Sequence, residues 1–256
     1  MRSLPQIFSA TLASLAVSLP LWAAAPIPAT AWQMPMDVAN GTNAVDGDWL
    51  DLGWQTFIAL NWPANTNGLG GQPNTDLSIT SLAATNYPAV WQSYWTKERV
   101  FLPNGQNPGA WGPATDAGAS TNGLPLLTGF AKQASGGKDD LFDEATGNPL
   151  IDQATNYVMF EIRLNESEFN YLTATGYYDA AQQIAAFPTN AKPTFVGMPR
   201  TGKYVPASHP WAQQGALEVK AAWRILVPGR DDFSRYFRQK AYYQTPDNSI
   251  EGPHTF

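Results

Sequence analysis

"GALEVKAAWRIL", residues 215–226, alternates along its length. Val219, Ala221, Trp223 and Ile225 fall on one side of an extended chain. Glu218, Lys220 and Arg224 fall on the other, with only Ala222 between them. A period of two is the mark of a strand with two unlike faces. A second stretch, "YVMFEIRL" at 157–164, follows the same plan. Val158, Phe160, Ile162 and Leu164 make its apolar side, and Tyr157, Met159, Glu161 and Arg163 the other. The residues before it, "PLIDQATN", predict the first arm of a hairpin with its turn around 154–156. If the two strands are sheet neighbours in suitable register, Glu161 and Arg163 face Glu218, Lys220 and Arg224. Three outcomes are open for such a face: an ion-pair network under a covering loop, a polar ligand cleft, or a solvated side of an antiparallel sheet.

Helical patterns flank these strands. "DGDWLDLGWQTFIALNWP" predicts a helix with Asp48 as N-cap and Trp54, Phe57, Ile58 and Asn61 at helical spacing, stopped by Pro63. "YPAVWQSYWTKERVFLP" predicts a second helix, with Pro88 in its first turn and Trp91 and Trp95 four apart. In "NESEFNYLTATG", Asn165 and Glu168 have capping-box spacing and Gly176 suits a C-terminal cap. "DAAQQIAAF" predicts a short helix ended by Pro188. "LPLLTGFAKQ" fits a strand or a helix, and so does "DDFSRYFRQKAYYQT". The connections, "PANTNGLGGQPNTDLSITSLAATNYP" above all, are long and rich in Asn, Gly and Pro. With no internal repeat and no clean linker, the expectation is one α+β domain with an antiparallel or mixed sheet, flanking helices and long loops.

Composition narrows the chemistry. The 256 residues hold 15 Lys+Arg against 21 Asp+Glu, for a net charge of -6. No clustered basic patch is visible, which argues against nucleic acid. There is no cysteine, so disulfides, thiolate metal sites, Cys nucleophiles and covalent haem attachment are excluded within this chain. Two histidines, His209 and His254, leave little for an imidazole-based zinc or copper site. Ten Trp, 10 Tyr and 12 Phe can build a large aromatic core.

The first 31 residues read as a secretory signal. Arg2 supplies the positive start, Ile7 to Leu19 is a short apolar run, and Ala29-Thr30-Ala31 fits a cleavage site. An alternative cut after Ala25 would place Pro26 directly behind it. The apolar run is too short and too broken to span a bilayer, and no second one follows. The expectation is residues 1–31 as leader and 32–256 as the mature domain, periplasmic or secreted, with no stable membrane span. The polar, turn-rich end "TPDNSIEGPHTF" reads as unfinished, which suggests a piece of a longer protein.

Several motifs can carry chemistry. Glu161 and Glu218 could serve as acid and base of a hydrolase if they flank a cleft. Asp139, Asp140, Asp143 and Glu144 in "GGKDDLFDEATGN" bring four carboxylates together as weak calcium candidates, although the spacing matches no EF-hand loop. Asp46, Asp48 and Asp51 are explained more simply by helix capping. Trp49, Trp54, Trp62, Trp91, Trp95 and Trp111 could line a carbohydrate surface, or build the core. Ser208 beside His209 lacks a nucleophile elbow. "GLGGQP" is not flanked as a phosphate loop is.

"WQTFIALNWPA", "WQSYWTKERVFLPNG", "PLIDQATNYVMFEIRLNESEFNYL", "TGYYDAAQQ" and "ALEVKAAWRIL" together resemble a group of exported bacterial proteins of unknown function, some labelled "cytochrome c family". The resemblance spans roughly residues 48–243 and is tied to no established chemistry. It implies an association with haem proteins. The haem itself does not carry over, because no C-x-x-C-H is present. The resulting expectation is an exported binding or interaction module without a cofactor of its own. Its partner would be another protein, the remainder of a longer chain, or a carbohydrate. The alternative is a carboxylate-dependent hydrolase or carbohydrate-binding protein using the charged sheet face.

Overall fold

The stretch 157–164 supplies the central strand of the molecule, β5 (Met159–Leu164). The structure is a computed structural model that describes residues 27, 30–35, 37, 40–65, 72–79, 87–112, 120–122, 124–130, 152, 156, 158–186, 215–245 and 247–256. Along one edge of β5 runs β6 (Glu218–Trp223), antiparallel over six residue pairs. At the other edge β1 (Trp95–Thr96) pairs with the end of β5, and β4 (Gly129–Phe130) pairs with its start. A second, mixed sheet has the order β2 (Ser120–Thr121), β3 (Leu124–Leu127), β7 (Lys240–Gln244) and β8 (Ile250–Thr255), with β3 and β7 parallel. The α-helices are α1 (Asp46–Leu60), α2 (Lys97–Val100), α3 (Glu166–Thr175) and α4 (Ala180–Ala186). The fold is α+β, as the alternation of helical and strand patterns predicts.

The capping chemistry of α3 is that expected. Asn165 Oδ1 accepts the Glu168 N–H at 3.0 Å, and Gly176, at φ 78°, takes the left-handed C-cap position. The other half of the capping box is not made. The Asn165 N–H is spent on the Leu217 carbonyl at 3.0 Å, beside β6. At α1 the N-cap is Val45, and Asp48 is the third helical residue. Its carboxylate accepts the Val45 N–H at 2.9 Å and the Asn40 side-chain amide at 3.1 Å. Those two bonds hold the Asp48 carboxyl below its ordinary range.

One expectation about elements is corrected. Residues 88–102 do not form one helix. A 3-10 turn (Val90–Ser93) is followed by an extended Tyr94, then β1, then the four-residue α2. Trp95 lies opposite Leu164 in the sheet, so the Trp91–Trp95 spacing of four is incidental. Residues Ile250–Thr255, in a stretch read as polar and turn-rich, form β8, which pairs with β7, and Phe256 is buried in the core. The segment "DDFSRYFRQKAYYQT" resolves into a 3-10 turn (Phe233–Arg235) and β7. "LPLLTGFAKQ" begins with β3 and β4. Of the expected first hairpin arm and its turn only Asp152 and Asn156 are described, and the Asp152 N–H donates to the Asn156 carbonyl at 2.9 Å.

Two apolar clusters hold these elements. One joins Trp62, Trp91, Met159, Trp223, Leu127 and Phe256 between the two sheets. The other joins Trp95, Val100, Leu164, Phe169, Tyr171 and Leu172, and packs α3 against β1 and β5. Phe169 meets Trp95 at 4.8 Å and Trp111 at 5.4 Å between ring centroids. Burying one such side chain contributes about 1.5–3 kcal/mol, so these rings rather than hydrogen bonds locate α3.

Candidate functional site

Directly opposed residues of an antiparallel pair share a face of the sheet. Glu161 lies opposite Ala221 and Arg163 opposite Val219, whereas Ile162 lies opposite Lys220 and Leu164 opposite Glu218. The charged face of β5 therefore coincides with the apolar face of β6. Glu161 and Arg163 share a side with Val219, Ala221 and Trp223. Glu218 and Lys220 are on the reverse side. The single polar cleft expected over one face is not formed, and Glu161 and Glu218 do not flank a common space. A register shift of one residue would have aligned the two charged sets.

The reason for this register is visible around Arg163. Glu161 and Arg163 are both buried. The Arg163 Nε donates to Glu161 Oε1 at 2.6 Å, and its Nη2 also pairs with that oxygen. Its Nη1 donates to the carbonyls of Gln92 and Tyr94, the latter at 2.8 Å. Short 3-10 turns leave carbonyls without partners at their ends, and the guanidinium fork satisfies two of them at once. Glu161 Oε2 accepts the indole N–H of Trp223 at 3.1 Å. Arg163 also lies 5.9 Å from the Trp91 ring centre. Both carboxylate oxygens and all three guanidinium nitrogens are engaged. Arg163 and Glu161 thus bolt β5 to the 90–94 turn and to β6. Of the three outcomes open in the sequence, this half is a structural ion-pair network.

The remaining cations separate. Lys220 lies over the Phe160 ring at 5.2 Å, on the exposed side of β6. Arg224, past the end of β6, donates to Asp231 Oδ1 at 2.8 Å and to the Tyr236 hydroxyl at 2.9 Å. It also pairs with Asp152 at 3.6 Å, and Arg230 contacts both Asp152 (3.4 Å) and Asp231 (3.2 Å). Asp231 additionally accepts the Val227 N–H at 2.7 Å. The hydrogen bond from Arg224, followed by that from Val227, holds the Asp231 carboxyl well below the usual carboxylate range. This cluster closes the 227–231 turn on itself.

One titratable group of note escapes a reading of the alternation. Glu168, in the first turn of α3, is buried, and its Oε2 has no hydrogen-bond partner among the described residues. Burial, reinforced by the nearby charge of Glu218, raises its pKa from 4.5 to about 7. The sequence signal was there, since Glu168 is the third member of the capping box. What could not be read is that Leu217 would take the N–H that the carboxylate otherwise accepts.

The other candidates are dispersed. Trp62, Trp91 and Trp95 are buried, and Trp111 stacks on Trp95 at 5.2 Å, so these four do not line a sugar surface. Asp139, Asp140, Asp143 and Glu144 lie outside the described residues, as do Ser208 and His209. No group of three or more potential metal-binding side chains occurs among the described residues. A cavity of about 20 Å³ lined by Thr96, Glu98, Leu127 and Glu161 has room for about one water.

The surface that stands out is α1. Ala59 is buried and Ile58 and Leu60 pack on the first core cluster. Leu50, Trp54 and Phe57, stepping by four and three, share the opposite side of the helix. They are 62%, 58% and 55% exposed, with Trp49 beside them at 54%. Trp54 and Phe57 meet edge to face at 5.8 Å on the surface. A helix apolar on both sides is normally covered on both.

Comparison with protein-family models, with curated proteins and with solved structures returned no match for this chain. No helix among the described residues is long and apolar enough to cross a membrane.

Proposed function

We propose that this chain is an exported interaction module that docks a partner through the aromatic side of α1. The observation that carries the reading is the stripe Leu50, Trp54 and Phe57, open to solvent on a helix whose other side is already packed. Large contiguous apolar patches on a protein surface mark interaction sites. Anchors at spacings of three and four on one helix are a common recognition geometry. Export is supported by the leader-like first 31 residues. Three of the charged residues contribute structure to this module: Glu161 and Arg163 fasten the 90–94 turn, and Arg224 fastens the 227–231 turn.

The test is a photo-crosslinking residue in place of Trp54 in the full chain, expressed in its own host. A discrete adduct is expected at this position and none with the same residue in place of Ile184, which is 72% exposed on α4. Adducts at both positions, or at neither, would overturn the reading. The identity of the adduct also tests the association with haem proteins that the resemblance implies. Recovery of the protein in the periplasmic or extracellular fraction checks export.

A further inference from the structure

The charge around α1 is one-sided. Between Ser3 and Thr96 the sequence contains no Lys, Arg or His, while Asp37, Asp46, Asp48, Asp51 and Asp76 are all acidic. Three of those five acids are on α1. Asp48 is occupied by the helix start. Asp46 and Asp51 are exposed, and among the described residues neither has an ion-pair or hydrogen-bonding partner. At about 100° per residue they flank the Leu50–Trp54–Phe57 stripe on its two sides.

We infer that the partner of α1 is a cationic amphipathic segment, with apolar side chains that cover Leu50, Trp54 and Phe57 and Lys or Arg at its rim to meet Asp46 and Asp51. The inference rests on the docking reading above and gives that surface its chemistry. A second copy of the chain is a poor occupant. Parallel α1 helices would set acid against acid, and antiparallel ones would set the acids against the carbonyl end of the other helix, itself partly negative. Rim charges of this kind act on specificity and association rate more than on total affinity.

The experiment uses the full mature chain and two synthetic peptides of about 18 residues, matched in a leucine stripe at helical spacing. One carries Lys at the flanking positions and the other carries Glu. Binding is read from the fluorescence of the exposed indoles and by calorimetry. The Lys peptide is expected to bind at least about tenfold more tightly than the Glu peptide at low salt, with the gap closing as ionic strength rises. Asp46→Asn with Asp51→Asn should shrink the preference by about threefold or more without abolishing binding. Trp54→Ser with Phe57→Ser should abolish binding of the Lys peptide, while circular dichroism shows the fold retained. Equal binding of the two peptides overturns the cationic partner and leaves the docking surface standing. Absence of binding by both, or binding indifferent to Trp54→Ser with Phe57→Ser, overturns the docking surface as well. A dimer in sedimentation that the same double substitution dissolves would assign the stripe to a second copy and overturn the proposal. Protection of Trp54 from hydroxyl-radical labelling in the monomer would also overturn it, by assigning the stripe to the chain itself.

Discussion

Strands β5 and β6 carry the same alternation of charged and apolar residues, and they put their charges in opposite surroundings. On β5 the charged face is the buried one: Met159, Glu161 and Arg163 are covered, while Phe160 and Ile162 are half-buried. On β6 the charged face is the open one: Glu218, Lys220 and Ala222 are exposed, and Trp223 is buried. Alternation reports that the two faces of a strand differ. Which face is inside depends on what the charges find there. Arg163 meets two backbone carbonyls, a carboxylate and an indole ring, so its burial is compensated. Lys220 lies over the Phe160 ring on the exposed side of β6.

The comparison breaks most sharply at Glu161. Glu161→Ala leaves the Arg163 charge buried without its carboxylate, and a loss of about 3–5 kcal/mol of stability is expected by urea unfolding. Glu161→Leu combined with Arg163→Met removes both charges and should cost less than Glu161→Ala alone, because apolar replacements of similar volume tolerate burial. If the double substitution is the worse of the two, the carbonyls of Gln92 and Tyr94 depend on Arg163 more than Arg163 depends on Glu161.

Next in size is the pH dependence set by Glu168. Its folded pKa, about 7, lies above the ordinary 4.5. The folded state therefore keeps a proton that the unfolded chain has released. Stability is at its full value below about pH 4.5 and falls as pH rises through 7, by an amount on the order of 3 kcal/mol. Glu168→Gln should flatten this slope in urea midpoints measured from pH 4 to pH 8. A slope unchanged by the substitution would assign the effect to another group. Trp223→Phe ranks below these. It removes the N–H given to Glu161 Oε2 and keeps an aromatic ring between Trp91 and Phe237, for an expected loss of about 2 kcal/mol by the same measurement.

What the sequence made legible was local. The period of β5 and β6, the Asn165 cap and Gly176 terminus of α3, and the body of α1 all depend on neighbours in the chain, and they appear where the pattern put them. The misread parts depend on distant partners. The 88–102 stretch has helical spacing, but Trp95 is claimed by Leu164 across the sheet and by Phe169 above it. A strand at 250–255 is not legible in its own polar, turn-rich residues, because its pairing depends on β7. The three outcomes for the charged face stay open in the sequence because register cannot be read from two isolated strands. Trp49 and Trp54 are exposed while Trp62, Trp91 and Trp95 are buried, and spacing alone does not separate a ring that packs inward from one that faces water.

The smallest expected effect is also the one that joins the two strands to α3. Glu218 sits exposed at the start of β6, opposite Leu164, and its charge adds to the burial that raises Glu168. At pH 8, above the Glu168 pKa of about 7, Glu218→Gln removes a repulsion across this gap and should stabilise by about 0.5 kcal/mol or less, as a partly screened pair allows. At pH 4 Glu168 is protonated in both states, and the gain should vanish. With Glu168→Gln already in place it should vanish at every pH, so the two substitutions are non-additive at pH 8 and additive at pH 4. A nuclear magnetic resonance titration of Glu168 should show its midpoint moving down in Glu218→Gln. Additivity at both pH values would mean that burial alone raises Glu168, and that the open face of β6 does not reach the first turn of α3.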